Sequence, residues 1–85
     1  MPVKVEVFTS EPPCAGGRLL LKLINKIKDE YEGKIEIEIY RGKNPKLSEY
    51  GIAASPAVVI NGDIRIIGVC PSEETFKEAL REAGV

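Results

Sequence analysis

The spacing of the apolar residues switches from every second position to every third or fourth and back again before Tyr40, and this switch constrains the fold more than any other feature of the chain. Val3, Val5 and Val7 alternate with Lys4 and Glu6, the period-2 pattern of a strand that reaches Phe8 or Thr9. Ser10-Glu11-Pro12-Pro13 breaks it. From Ala15 to Glu32 the apolar residues Leu20, Leu23, Ile24, Ile27 and Tyr31 recur at helical steps, with Leu19 widening the stripe. This predicts an amphipathic helix with Gly33 as its C-cap. Ile35, Ile37 and Ile39 then alternate with Glu36, Glu38 and Tyr40, which predicts a second strand with one wet face, as at a sheet edge. Strand, helix and strand in this order form a crossover unit whose two strands run parallel.

The second half of the chain folds back on itself. Gly42 to Asn44 is turn material, and Pro45 to Tyr50 forms a short helix with proline at its first position and Gly51 at its end. Ala57-Val58-Val59-Ile60 is a continuous apolar run, as expected of a strand covered on both faces. Asn61-Gly62, followed by Asp63 and then Ile64-Arg65-Ile66-Ile67, predicts a hairpin, because a type I′ turn needs positive φ at both central residues. Ser72 caps a last helix in which Glu73 and Glu74 complement the dipole, Phe76, Ala79, Leu80 and Ala83 make the apolar face, and Gly84 is the stop. No repeat or linker interrupts this order, and 85 residues suit one domain, residues 1–85. A domain of this size buries roughly 60–65% of the surface of its unfolded chain. The expected architecture is α/β, in the order β-α-β-α-β-β-α, with helices covering a mixed sheet.

Which chemistry such a domain can perform is narrowed by what it lacks. Twelve basic and thirteen acidic side chains leave a net charge of −1, so a basic footprint for nucleic acid and a polybasic tail for membranes are both missing. No apolar run approaches the ~20 residues of a membrane span, and a soluble cytoplasmic protein is expected. The chain contains no histidine, which removes Cys-His pairs, Ser-His-Asp triads and histidine metal sites. Its two cysteines, Cys14 and Cys70, are too few for a disulfide scaffold or a four-cysteine zinc site, so no metal is expected. Gly16-Gly17 leads into Arg18-Leu19 rather than Lys-Ser/Thr, so it is no phosphate loop. Glu36 and Glu38, Glu73 and Glu74, and Lys22, Lys26 and Lys28 read as solvated faces.

Cys14 remains. A thiol at a helix N-terminus meets unpaired amides and the positive dipole end, and such cysteines have pKa values lowered from about 8.5 to roughly 3.5–7.5. Pro12-Pro13 fixes the approach to the helix, while Gly16 and Gly17 clear its first turn at a cost of ~1 kcal/mol each relative to alanine and leave the sulfur open to a partner's backbone. Arg18 is the nearest cation in sequence and Glu11 the nearest acid. The plainer alternative is a small, partly buried cap residue without chemistry.

Phe8-Thr9-Ser10, the proline-flanked Cys14 and the distant run Gly51-Ile52-Ala53-Ala54-Ser55-Pro56-Ala57-Val58-Val59-Ile60-Asn61-Gly62 together resemble the small thioredoxin-like and glutaredoxin-like redox proteins, over nearly the whole chain. The resemblance implies a thioredoxin-like fold, a four-stranded mixed sheet flanked by helices, with a Cys-x-x-Cys motif opening the first helix opposite a cis-proline. Here the motif reads Cys14-Ala15-Gly16-Gly17, so Gly17 replaces the resolving cysteine and a two-thiol cycle cannot run inside it. By itself Ser55-Pro56 reads as a trans bond, since only ~5–6% of such bonds are cis in folded proteins. The resemblance reverses that reading. It implies that Ser55 and Pro56 form the floor of the Cys14 site and that Ala15, Gly16 and Gly17 complete the substrate surface. It also puts the loop of Cys70 at the same end of the sheet, so that Cys70 is either a displaced resolving thiol, able to pair with Cys14, or a loop cysteine with no partner.

The implied function is thiol-disulfide exchange by Cys14 on a protein disulfide or a low-molecular-weight thiol, released by an external thiol or by Cys70, in a monomer without cofactor. The competing class is a redox-inactive module that recognises a peptide or protein partner beside Pro56. A third reading, an iron-sulfur cluster shared between two subunits, would echo monothiol glutaredoxins, but no glutathione-binding pattern stands out.

Overall fold

The computed structural model describes Pro2–Val85 and contains seven elements: β1 (Val3–Thr9), α1 (Ala15–Glu30), β2 (Ile35–Arg41), α2 (Pro45–Glu49), β3 (Ala57–Ile60), β4 (Ile64–Ile67) and α3 (Glu73–Glu82). The strands form one sheet in the order β2-β1-β3-β4. β1 and β2 are parallel, in register from Val3 opposite Ile35 to Thr9 opposite Arg41. β3 runs antiparallel to both β1 and β4, with Val58 opposite Val7 and Ile66. This is the mixed four-stranded sheet, in the element order that the periodicities predict.

Local signals set most boundaries. Asn44 Oδ1 accepts the Lys46 amide at 2.9 Å and Pro45 takes the first helical position, so α2 starts there. It stops where Ile52 N–H reaches Leu47 O at 2.7 Å and Gly51 N–H reaches Ser48 O at 3.1 Å, with Gly51 at φ +68°. α3 ends in the same way around Gly84. Asn61 and Gly62 both have positive φ, and Asp63 N–H closes on Ile60 O at 3.1 Å. α1 stops at Glu30, two residues before the predicted end at Glu32. Tyr31 O accepts the amide of Lys34 at 2.8 Å, and the chain leaves the helix through this turn so that Ile35 can enter the sheet.

Alternation along the strands builds two cores. Val5, Val7, Val58 and Ile60 face α1 and α3, where they meet Leu20, Ile24, Ile27, Phe76 and Leu80, most of them fully buried. On the opposite face Phe8, Ala57 and Val59 meet Ile52, with Tyr40, Leu47 and Tyr50 packed around them. β2 is an edge, but its expected wet face is only partly wet. Glu38 and Tyr40 are half-buried beneath α2, whereas Ile39 on the other face is 42% exposed beside a groove that α1 leaves open. The larger correction concerns Glu6, one of the polar residues alternating along β1. β1 is central and α2 covers its second face, so Glu6 is 2% exposed. No helix of the described residues is long and apolar enough to cross a membrane.

Candidate functional site

Cys14 is the N-cap of α1. Its φ of −73° and ψ of 178° are extended, and its Sγ accepts the amide of Gly17 at 3.4 Å, in the manner of an N-cap oxygen. Ser10 organises the approach: its Oγ accepts the Cys14 amide at 3.2 Å and donates to Pro12 O at 3.0 Å. The Cys14 thiol is free and exposed. The Gly17 amide does most to lower its pKa, desolvation opposes it, and the Ser10 hydroxyl with the amides of Gly16 and Cys14 adds to the lowering, so that the thiol titrates below its ordinary value. A thiolate here is stabilised by backbone dipoles rather than by a cation. Arg18 turns aside, its Nη1 donating to Pro13 O at 3.5 Å, and Glu11 lies toward Gly42.

The two glycines after Ala15 mark close approaches. A Cβ on Gly16 would stand 3.3 Å from Pro56 Cδ and 3.4 Å from its Cγ, so the Pro56 ring packs directly on the first turn of α1. A Cβ on Gly17 would stand 3.3 Å from Pro13 Cβ and 3.6 Å from Thr9 Cβ. The Ser55–Pro56 peptide is cis, as is Glu11–Pro12. Pro56 O accepts the amide of Gly68 at 2.8 Å. Three loops that are distant in sequence therefore meet at one end of the sheet: the approach to α1, the stretch from Ala54 to Pro56, and the residues after β4. Ser55 lines a groove of about 240 Å³ with Ser10, Glu11, Lys43 and Leu47.

An exposed thiol thus caps a helix against whose first turn a proline from another loop packs, and residues 3–81 match the thioredoxin domain family. The chain belongs to that family. It is 39% identical over 82 residues to a thioredoxin of Methanocaldococcus jannaschii, an alignment that covers 94% of each chain. It is 37% identical over 84 residues to a probable thioredoxin of Methanothermobacter thermautotrophicus, covering 96% of each. A probable thioredoxin of Methanothermobacter marburgensis is 37% identical over 79 residues, covering 91% of this chain and 92% of the relative.

Within this thioredoxin domain, Ala15, Gly16, Gly17 and Pro56 come together around the Cys14 end of α1, with Ser55 entering on the side of the groove. Cys70 has a different setting. It is half-buried against the α1–α3 core, its Sγ lies 3.5 Å from Pro71 O, and burial pushes its thiol up. No disulfide joins the two cysteines. Two features escape a reading of the sequence. Ser10 reads only as part of a strand breaker, and the sole hint of its role is its spacing of one helical turn before Cys14. The other is a buried polar cluster under α2, in which Glu6 Oε2 accepts from Lys46 Nζ at 2.8 Å and Glu6 Oε1 from Tyr50 Oη at 2.6 Å. The i, i+4 spacing of Lys46 and Tyr50 is its only sequence trace.

Proposed function

We propose that the protein is a thiol-disulfide oxidoreductase that works through the single thiol of Cys14. The observation that carries this is the exposed Cys14 Sγ, held at the N-cap by the Gly17 amide with its pKa lowered. Relatives named thioredoxin, aligned over almost their whole length, support the same class of chemistry. Cys14 thiolate attacks one sulfur of a substrate disulfide, R–S–S–R′. The Cys14–S–S–R bond forms, the substrate S–S bond breaks, and R′–S⁻ leaves and takes up a proton. Because Gly17 offers no thiol, an external thiolate then attacks the Cys14 sulfur and releases R–S⁻. A second external thiolate removes the first as a symmetric disulfide and returns Cys14 to its thiolate. The sum is one substrate disulfide reduced and two external thiols oxidised.

Ser55 and Pro56 supply the edge along which an extended substrate segment would lie, next to the glycine-cleared turn of Ala15, Gly16 and Gly17. Cys70 is the poorer resolving thiol, since its half-burial and raised pKa leave it protonated at neutral pH. A protein disulfide or a low-molecular-weight thiol in a reducing compartment such as the cytoplasm suits this cycle, and one monomer completes it. The test is intact mass after incubation with glutathione disulfide. The expected product is a single glutathione adduct on Cys14, absent from Cys14→Ser. Slow, equal reaction of both thiols would instead support a binding module that holds a peptide beside Pro56 without turnover, a reading that the missing thiol at position 17 also suits.

A further inference from the structure

We infer that Glu6 is a positioning residue for the exchange site: by holding both ends of α2 it fixes where Ser55 and Pro56 stand relative to Cys14. This rests on the reading of Cys14 as the attacking thiol. The Glu6 carboxylate is buried on the central strand β1, with Val59 beside it on β3 and Glu38 beside it on β2. Its two oxygens are divided between the two ends of α2: one takes Lys46 Nζ at 2.8 Å, the other Tyr50 Oη at 2.6 Å. Lys46 also donates to Tyr40 Oη at 3.0 Å, Tyr40 Oη donates to Glu38, and Lys4 sits 3.3 Å from Glu38. Glu6, Lys46, Tyr40, Glu38 and Lys4 are thus tied into one chain of contacts that spans β1, β2 and α2, while Arg65 of β4 stands 5.7 Å from the centroid of the Tyr50 ring.

Besides this clamp, α2 is held only by the partly buried Leu47 and Tyr50 against the Phe8 cluster, among the described residues. At five residues it is far below the ~12–15 residues at which an isolated helix becomes even marginal, and none of its residues is buried. Ile52, 9% exposed and just past its end, is its buried anchor, and only the exposed Ala53, Ala54 and Ser55 separate that anchor from Pro56. A shift of α2 is therefore passed on to the edge facing Cys14. Stability alone does not account for a carboxylate in this place, since desolvating an ion costs several kcal/mol and an apolar residue would pack against Phe8 and Val59. Defined geometry does account for it.

Two variants separate these roles: Glu6→Gln, and the double replacement Glu6→Met with Lys46→Met, which removes the clamp without leaving a buried charge unpaired. For each, three rates are measured on the reduced protein. These are alkylation by iodoacetamide, exchange with hydroxyethyl disulfide, and exchange with an extended peptide carrying a mixed aromatic disulfide on its cysteine. The first two use the sulfur alone and should match the parent protein. The peptide rate should fall about ten- to a hundredfold, the cost of misplacing a reacting partner by about 1 Å. An unchanged peptide rate in the folded double variant overturns the inference, and so does an equal fall in all three rates, which would mark a merely structural residue. If Cys14 of the parent protein reacts no faster than an ordinary thiol, the exchange reading fails, whatever the variants show.

Discussion

Replacing Thr9 by valine should stabilise the protein. Thr9 ends β1, is 2% exposed, and its Oγ1 has no hydrogen-bond partner among the described residues. Its main chain is satisfied, with Thr9 O accepting the Gly42 amide at 2.9 Å, so the hydroxyl alone is stranded. A buried polar group left unpaired costs ~1–3 kcal/mol. Valine has the same shape, suits a strand, keeps the methyl group that Thr9 already turns toward the open side of Gly17, and places a second methyl where the hydroxyl was. The expected gain is about 1–2 kcal/mol. At roughly 4–8 °C per kcal/mol for a chain of this size, the melting temperature should rise by roughly 5–15 °C. With a urea slope of about 1 kcal/mol per molar, the urea midpoint should rise by about 1–2 M at unchanged slope. Thr9→Ser keeps the hydroxyl and loses the methyl, and should be less stable than the parent. A valine variant that is no more stable would refute the reasoning, because it would mean the hydroxyl has a working partner. Cys14 alkylation should not change, since the groups that lower its pKa are Gly17, Ser10, Gly16 and its own amide.

Three further outcomes follow from the site. Cys14→Ser keeps an N-cap acceptor, and serine is among the preferred cap residues, so urea unfolding should show stability equal to or above that of the parent while disulfide exchange is lost; a marked loss of stability would mean that the sulfur packs rather than caps. Iodoacetamide at neutral pH should give one adduct, on Cys14, because its pKa lies below the usual thiol value and that of Cys70 above it, and Ser10→Ala should move the Cys14 alkylation midpoint to higher pH. Burial pushes the Glu6 carboxyl up, but the bonds from Lys46 and Tyr50 outweigh it and leave the folded pKa below the unfolded one. Its contribution to stability is therefore complete above the ordinary carboxylate value of about 4.3 and is lost as pH falls through the folded value. Urea midpoints should drop on acidification below about pH 4.5, and less steeply in Glu6→Gln; parallel curves for the two proteins would rule this out.

The elements themselves were legible in the chain because each is set by near neighbours. The switch from period 2 to helical spacing and back placed β1, α1 and β2, Asn61-Gly62 placed the hairpin, and Pro45 with Gly51 bracketed α2, all through backbone geometry that a few adjacent residues decide. Cys14 was legible for the same reason, since an N-cap and its amides belong to a single turn of chain. Burial is another matter, because it depends on which segments pack together. Glu6 alternates with Val5 and Val7 just as a solvated residue would, and only the insertion of β1 between β2 and β3, with α2 laid over it, makes it a buried carboxylate with two donors. The contact of Pro56 with Gly16, the half-burial that keeps Cys70 from matching Cys14, and the stranded hydroxyl of Thr9 are likewise products of distant segments meeting. Periodicity and capping are local properties of a chain, whereas desolvation and the placing of one loop against another exist only once the sheet has formed.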